Sequence, residues 1–289
     1  MSKVIGPNTL WVFASSSHEE RHLTDIVFGF TSLISKGVNS SNIRIFVDHP
    51  LPDLHLNPYG VDRINDLADL QDQLAAEEGY DNVILIIGGH GSHLGIGEGH
   101  RQISPENIVA AVRSIQGIGL GVIVLTQCYA GIFNYLDALQ VPQLVVIGAT
   151  NLNPSVSAEI QLPKAMLMKD GSTGKDKWSA NIFALGLFAW LASPLDLDGD
   201  GATNLVDAYK YAGVFANEQL RANKCNAYQG AQELSSELRS AESLAASGDP
   251  QQFDIDAIRT ALDQKLNFLY VHQESWLLNA NLAREILFA

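Results

Sequence analysis

Five short runs of branched apolar residues place the strongest constraint on the fold of this chain. They cover residues 10–14, 42–47, 82–87, 121–125 and 144–147. Within these runs, apolar residues mostly follow one another instead of alternating with polar ones. That pattern is typical of strands whose two faces are both buried, as in parallel sheets covered by helices. The runs therefore predict the strands of one central sheet.

Amphipathic segments separate the runs and predict the helices that cover the sheet. One spans residues 25–36 and ends at Gly37, another spans residues 61–78, and a third spans residues 105–115. An alternation of strands and helices favours crossovers between parallel strands. We therefore expect an α/β fold, a three-layer sandwich with a mostly parallel central sheet. In such sheets, functional side chains collect beyond the carboxyl ends of the strands.

The composition changes in the last quarter of the chain, which indicates a second region. Residues 216–247 are rich in Glu, Gln, Ser, Ala and Asn, and helical patterns follow at 253–271 and 276–288. We predict a main domain over residues 1–215 and a helical C-terminal region over residues 216–289. The C-terminal region would be either a packed subdomain or an appendage that binds a regulatory partner.

Composition and charge disfavour several classes of protein. The formal net charge of the 289 residues is −14, and no Lys/Arg run is present, so nucleic-acid binding is not expected. The longest apolar run, residues 182–192, is shorter than the ~20 residues that a membrane span requires. We expect no leader peptide, and two cysteines make no disulfide framework. These features favour a cytoplasmic protein with reduced thiols.

Two of the predicted strands run into residues that can carry out nucleophilic catalysis. His90 follows the strand at 82–87, and Cys128 follows the strand at 121–125. A thiol is a weak nucleophile until a base removes its proton, which a nearby imidazole can do. We therefore predict Cys128 as the nucleophile and His90 as its general base. The backbone N–H groups of Gly91 and Cys128 would form the oxyanion hole.

Each of these residues alone has a simpler explanation. A cysteine at a buried strand end is usually a small core residue, and a His-Gly pair is usually a turn. Their occurrence together, each after an apolar run, favours catalysis. The chain contains no Gly-x-Ser-x-Gly motif, which disfavours a serine hydrolase of that type.

From about residue 10 to residue 212, the sequence resembles the caspase-like cysteine peptidases, and within them the legumain-like branch, which includes bacterial members. The shared pattern is an apolar block before His-Gly and another before Cys. Legumain-like proteins also follow their first strand with a loop of small residues and then Arg-His-x-x-Asp. This chain has Arg21, His22 and Asp25 in that arrangement. The resemblance implies a caspase-like fold and a cysteine-type endopeptidase.

The resemblance also implies residues that bind the substrate. In legumain-like proteins, the arginine of this motif helps to form the pocket for an Asn or Asp side chain before the scissile bond. Arg21 is its counterpart, with His22 beside it. Thr126 before the nucleophile, and Thr150 and Asn151 at the end of the next strand, complete the candidate set. This set predicts cleavage after Asp or Asn.

Two departures from the family affect these roles. Where legumain-like proteins have Glu-Ala before the nucleophile, this chain has Thr126 and Gln127, and glutamine before the cysteine is nearer the caspase pattern. Legumain-like proteins often have an asparagine two residues before the arginine, where it orients the catalytic histidine. This chain has Glu19 at that position. A carboxylate beside Arg21 can neutralise the guanidinium, and the pocket would then admit a basic side chain.

Residues 196–207 match the spacing of a calcium-binding EF-hand loop. Counted from the first residue, acidic side chains occupy positions 1, 3, 5 and 12, and glycine occupies position 6. Aspartate at the last position resembles dockerin-type loops. An acidic turn without a metal is the alternative. The predicted calcium ligands are four carboxylates and one backbone carbonyl, from Asp196, Asp198, Asp200, Ala202 and Asp207.

Three functions are compatible with these observations. The favoured one is an endopeptidase that cleaves protein or peptide substrates with a Cys–His dyad. The second is a non-catalytic calcium-binding interaction module, whose function lies in the acidic loop and the C-terminal helices. The third is an acyl hydrolase that uses the same dyad on small substrates. A covalent active-site probe distinguishes the first two, because only a catalytic Cys128 would react.

Overall fold

The computed structural model describes residues 2–97, 102–247, 254–270 and 274–288. The strands and helices follow one another in the order β1 (Ser2–Lys3), β2 (Thr9–Ser16), α1 (Glu20–Ser35), β3 (Ile43–Val47), α2 (Pro52–Leu56), β4 (Ile64–Asp66), α3 (Leu70–Ala75), β5 (Asn82–Gly89), β6 (Gly91–Ser92), β7 (Gly95–Ile96), α4 (Pro105–Ser114), β8 (Leu120–Leu125), β9 (Gln143–Gly148), β10 (Ser157–Gln161), β11 (Lys177–Asn181), α5 (Ile182–Ala192), α6 (Leu205–Ala246), α7 (Ile255–Tyr270), β12 (Trp276–Leu278), α8 (Ala280–Ala283) and β13 (Ile286–Leu287).

Within the described residues, seven strands form the central sheet, in the order β12-β9-β8-β5-β2-β3-β4. All neighbouring pairs are parallel except β12 with β9, which is antiparallel. The predicted α/β fold with a mostly parallel sheet is therefore confirmed. The central strand β5 and its neighbour β2 are the longest of the sheet and are almost wholly buried, as their continuous apolar sequences predict.

A hydrophobic core lies on each face of the sheet. Trp11 and Phe13 of β2 belong to the core that also holds buried residues of α1 and α5, whereas Leu10 and Val12 belong to the core with those of α3 and α4. The alternation follows from the two-residue period of a strand. Helix α5 is apolar all round and buried, which explains the longest apolar run of the sequence without a membrane.

Part of the segment at 61–78 is a strand instead of a helix. Its residues 64–66 form β4, which pairs in parallel with Ile45, Phe46 and Val47 at the edge of the sheet. The helix α3 is correspondingly short. A three-residue edge strand is too short to show a hydrophobic period of its own, so its partner strand determines its conformation.

Residues 276–288 do not form the predicted single helix, because among them only Ala280–Ala283 are helical. Strand β12 pairs with the edge strand β9, and β13 pairs with β1 near the start of the chain. The indole of Trp276 lies on Gly148, where a Cβ atom would be 2.2 Å from the ring, and its Nε1 donates to the carbonyl of Thr150 at 2.9 Å. These partners are distant in sequence, and local patterning therefore did not reveal the strands.

The chain divides into two compact units, residues 1–216 with 273–289, and residues 217–272. The second unit is therefore an insertion before the last strands of the first, and it contains most of α6 and all of α7. Within it, Arg259 pairs with Glu242 at 2.6 Å. The predicted ends of its second helix, residues 253 and 271, lie outside the described residues. No helix among the described residues is both long enough and apolar enough to cross a bilayer.

Candidate active site

The candidate nucleophile and base follow strands that are neighbours in the sheet. Strands β5 and β8 pair with Ile87 opposite Leu125, an offset of 125 − 87 = 38. His90 and Cys128 differ by the same 128 − 90 = 38. The contact between the two strands continues past the end of β8, because the backbone N–H and the hydroxyl of Thr126 both donate to the carbonyl of Ile87 at 2.9 Å. His90 and Cys128 therefore leave the same sheet edge side by side.

Glycines on both sides of His90 allow its loop to approach neighbouring backbone closely. A Cβ atom on Gly91 would lie 2.3 Å from the carbonyl oxygen of Cys128. Gly89 has a φ of +90°, and a Cβ there would lie 2.4 Å from the carbonyl of Ser16. Since no other residue avoids these clashes, glycine is required at both positions. The backbone after His90 is thereby packed directly against the backbone of Cys128.

Glu19 connects the imidazole of His90 to the guanidinium of Arg21. The His90 Nε2 lies 2.8 Å from Oε1 of Glu19, and Nε of Arg21 donates to Oε2 at 2.5 Å. Nη1 of Arg21 donates to the hydroxyl of Ser157 at 2.7 Å. The hydrogen bond from Arg21 lowers the pKa of Glu19, and nearby positive charge acts in the same direction. Glu19 is therefore an ionised carboxylate shared by the two side chains.

His22 is a buried neighbour of His90. Its side chain is 5% exposed, and the two rings meet edge to face with centroids 5.3 Å apart. Burial, together with the nearby charges of Arg21 and His90, lowers the pKa of His22 to about 3. His22 is therefore neutral at physiological pH. It gives His90 a packing surface without adding a positive charge.

The residues after β9, numbers 150–155, form what we call the clasp loop, because they lie against the loop that carries Cys128. Three backbone N–H groups connect the two loops. The bonds are Ser155 N to Cys128 Sγ at 3.2 Å, Tyr129 N to Asn153 O at 2.9 Å, and Gly131 N to Asn151 O at 3.1 Å. The thiol therefore has a defined N–H donor, and its loop is held along its length.

A buried polar group connects α1 to the start of α5 below this site. Asp25 is buried, and its carboxylate accepts hydrogen bonds from Nε1 of Trp178 at 2.8 Å and the N–H of Asn181 at 3.3 Å. Burial raises the pKa of Asp25 to about 7 in spite of these bonds. Sequence reasoning identified Asp25 as part of a motif but missed Asn181 and Ser155, whose partners at the site are distant in sequence.

The predicted substrate-binding residues divide into two groups. Arg21 is partly exposed and Asn151 is exposed. Thr126, Thr150 and His22 are only 2%, 0% and 5% exposed. A side chain that is buried in this way supports the site from within the protein instead of contacting a substrate. Of the predicted set, Arg21 and Asn151 are the residues whose side chains are accessible.

The acidic loop at 196–207 brings three of its predicted ligands together. One carboxylate oxygen from each of Asp196, Asp198 and Asp207 lies within 4.8 Å of the other two. Two N–H groups from the glycines of the loop donate to Asp196, at 2.7 Å and 2.9 Å. Oxygen ligands on a loop of this kind suit calcium, which accepts them at flexible angles.

The remaining predicted ligands are arranged differently. Asp200 lies outside the group of three, and one of its oxygens accepts the N–H of Ala202 at 2.9 Å. Nζ of Lys210 lies 2.9 Å from Asp198 and lowers the pKa of that carboxyl through their hydrogen bond. An ammonium therefore stands beside one of the three converging carboxylates.

Comparison with known proteins does not identify a family. No family model and no curated protein matches the chain. Among solved structures, the crystal structure of drICE, a caspase, matches at 14% identity and a TM-score of 0.34, over 75% of this chain and 83% of that chain. A likeness this distant carries no weight for activity, which must be inferred from the site itself.

Proposed function

We propose that the chain is a cysteine endopeptidase in which Cys128 is the nucleophile and His90 the general base. The observation that supports this most directly is the arrangement of the two loops. His90 and Cys128 follow two paired strands and are 38 residues apart, as are the paired residues Ile87 and Leu125. In addition, Gly91 packs on the backbone of Cys128. Neither a core cysteine nor an ordinary turn requires a glycine pressed against the cysteine's own carbonyl.

The proposed reaction is acyl transfer through a thioester. His90 takes the proton of the Cys128 thiol, and the thiolate adds to the scissile carbonyl. The N–H groups of Gly91 and Cys128 stabilise the resulting oxyanion. When the C–N bond breaks, His90 returns the proton to the leaving amine. Water then adds to the thioester with His90 again as base, which releases the acid and restores the thiol.

Glu19 has the position of an orienting group for His90. Its carboxylate contacts Nε2, so proton exchange with the thiol would use Nδ1 of the same ring. A carboxylate in this position stabilises the imidazolium that forms when the thiol loses its proton. Arg21 holds that carboxylate in place from the other side, and the hydroxyl of Ser157 in turn holds the guanidinium of Arg21.

We further propose that Arg21 selects Asp or Asn before the scissile bond. Glu19 occupies Nε and Ser157 occupies Nη1, and among the described residues none accepts a hydrogen bond from Nη2. Its N–H groups can therefore bind a carboxylate or an amide oxygen. Since Glu19 balances the charge of Arg21, the pocket is close to neutral, which favours Asn over Asp.

Cleavage of a peptide library by the purified protein tests this proposal. We expect cleavage after Asn, and more weakly after Asp, in the wild type and none in Cys128→Ala. Arg21→Lys should weaken that preference, because an ammonium lacks the guanidinium geometry. Arg44→Lys is the matched control, because it makes the same change in another arginine that pairs with a glutamate, Glu77. It should leave the preference unchanged. Cleavage mainly after Arg or Lys would refute the specificity, and turnover of small esters alone would favour the small-substrate hydrolase.

We also propose that the acidic loop binds one calcium ion. Asp207 is completely buried, and its two oxygens accept the N–H groups of Leu197 at 2.9 Å and Asn204 at 3.0 Å. Within the described ranges, no cationic side chain pairs with Asp207. A buried carboxylate is costly unless it is paired or coordinates a metal. The convergence of Asp196 and Asp198 on it supports a cation there.

A further inference from the structure

The amide side chain of Asn181 lies beneath the loop that carries Cys128. Asn181 is the last residue of β11, and it is 8% exposed. Its Nδ2 donates to the carbonyl of Thr126 at 2.6 Å and to the hydroxyl of Ser155 at 3.1 Å. One amide group therefore contacts both the strand end before the nucleophile and the clasp loop opposite it.

Both contacts act on the position of the thiol. Thr126 precedes Cys128 by two residues, so its carbonyl determines where the chain leaves β8. The N–H of Ser155 is the donor to Cys128 Sγ at 3.2 Å. A shift of either segment would move the sulfur relative to His90. Reaction rates depend steeply on such positions, since a displacement of about 1 Å can cost about 10²-fold.

Asn181 is itself held from two sides. Its Oδ1 accepts the N–H of Ala184 and caps the first turn of α5, at 3.0 Å. Its own N–H donates to the buried carboxylate of Asp25 at 3.3 Å. The side chain therefore has little freedom to rotate, which is what a rigid support for a catalytic loop requires.

We infer that Asn181 is a positioning residue that fixes the Cys128 thiol through the Thr126 carbonyl and the clasp-loop residue Ser155. This inference rests on the proposed role of Cys128 as nucleophile. Asn181 does not contact the thiol or the expected position of the substrate. Its loss should therefore lower the rate of the chemical step and leave substrate binding nearly unchanged.

The variant Asn181→Ser separates positioning from helix capping. Serine keeps a good N-cap for α5 but is too short to reach Thr126 and Ser155. We expect kcat on a peptide substrate to fall about 10- to 100-fold, with KM within about twofold of the wild type. Ser104→Ala, which removes the cap of α4, is the matched control for a loss of stability, and its kcat should be unchanged.

A double-mutant cycle with Ser155→Ala tests the connection between the two residues. The effects of Asn181→Ser and Ser155→Ala on kcat should be clearly less than additive, because both remove the same bond. Full additivity, an unchanged kcat in Asn181→Ser, or an increase confined to KM would each overturn the inference.

Alkylation of Cys128 by iodoacetamide, followed by peptide mass mapping, provides a readout that does not require peptidase activity. Asn181→Ser should change the alkylation rate of Cys128 and leave that of Cys225 as in the wild type. If the wild type cleaves no peptide but this selective change is seen, the positioning role stands and the proposed function fails. If the wild type cleaves peptides and neither kcat nor alkylation changes, the positioning role alone fails.

Discussion

The edge of the sheet that carries Cys128 and the acidic loop at 196–207 are the two candidate sites of this chain, and they are assembled in different ways. In the acidic loop, the converging groups lie within 12 consecutive residues, and their backbone donors come from the same loop. At the sheet edge, the groups around Cys128 and His90 come from Glu19, Ser155 and Asn181, which lie on three other segments. The comparison shows that a site assembled from distant segments is harder to recognise in the sequence than a site built from consecutive residues.

The largest expected effect is the loss of the dyad. Cys128→Ala and His90→Ala should each lower kcat/KM by at least about 10³-fold, because the two side chains act as one unit. His93→Ala and Cys225→Ala are matched controls, since both residues are exposed and lie outside the dyad. Peptidase assays with circular dichroism check this. A His90→Ala variant with full activity would contradict the assignment of His90 to the dyad at the sheet edge.

Substitution of Glu19 is the most sensitive test of the contacts that distant segments make at the sheet edge. Glu19→Ala should lower kcat on the order of 10²-fold, because His90 loses the carboxylate that orients it and stabilises its charged form. Glu19→Gln keeps a hydrogen-bonding oxygen but loses the charge, so we expect an intermediate rate. Glu20→Ala changes the adjacent exposed carboxylate and should leave kcat unchanged. Equal rates for the Glu19 and Glu20 variants would mean that Glu19 is a surface acid only.

Calcium should stabilise the protein through the acidic loop, whose ligands are local. A cation that binds only the folded state adds ~2.7 kcal/mol at a hundredfold excess over Kd. A chelator should therefore lower Tm by several degrees, and the double variant Asp198→Ala/Asp200→Ala should remove the difference. Lys210→Ala should strengthen calcium binding, because it removes an ammonium that competes for Asp198.

The matched control for the calcium experiment removes the same charge elsewhere. Asp62→Ala/Asp69→Ala changes two exposed aspartates outside the loop and should preserve the response to calcium. Isothermal titration of the chelated protein gives the stoichiometry, for which we expect one ion per chain. A Tm that responds to neither calcium nor chelator would leave the loop as a hydrogen-bonded acidic turn.

The smallest expected effect is the pH dependence of wild-type stability, because two buried groups oppose each other. His22 has its pKa lowered from 6.5 to about 3, so unfolding takes up a proton below pH 6.5 and stability falls as pH falls. Asp25 has its pKa raised from 3.8 to about 7, so unfolding releases a proton between these values and stability falls as pH rises. Between about pH 4 and pH 6.5 the two slopes have opposite signs.

Single variants should expose each slope separately. In Asp25→Asn, Tm should fall more steeply than in the wild type as pH is lowered from 6.5 to 4. In His22→Phe, Tm should fall as pH is raised from 4 to 7. Thermal melts across this range check both signs. Identical profiles for the two variants would show that these groups do not titrate as their burial implies.

The sequence predicted the parts of the fold and site that depend on local pattern. Continuous apolar runs located five of the seven sheet strands that the structure describes, all except β4 and β12, and the ends of two of them located His90 and Cys128. Trp276 was assigned to a helix because its partners, Gly148 and Thr150, are more than a hundred residues away. Asn181 was missed for the same reason, since an asparagine before an apolar helix indicates only a cap.

The central claim, that Cys128 is an activated nucleophile served by His90, has one direct test. The purified protein is treated with a peptidyl acyloxymethyl ketone that has Asn before the reactive group, and the adduct is located by peptide mass mapping. We predict one adduct per chain, on Cys128, that forms in the wild type and in Cys225→Ala but not in His90→Ala. An adduct on Cys225 alone, or equal labelling of Cys128 in His90→Ala, would contradict the account.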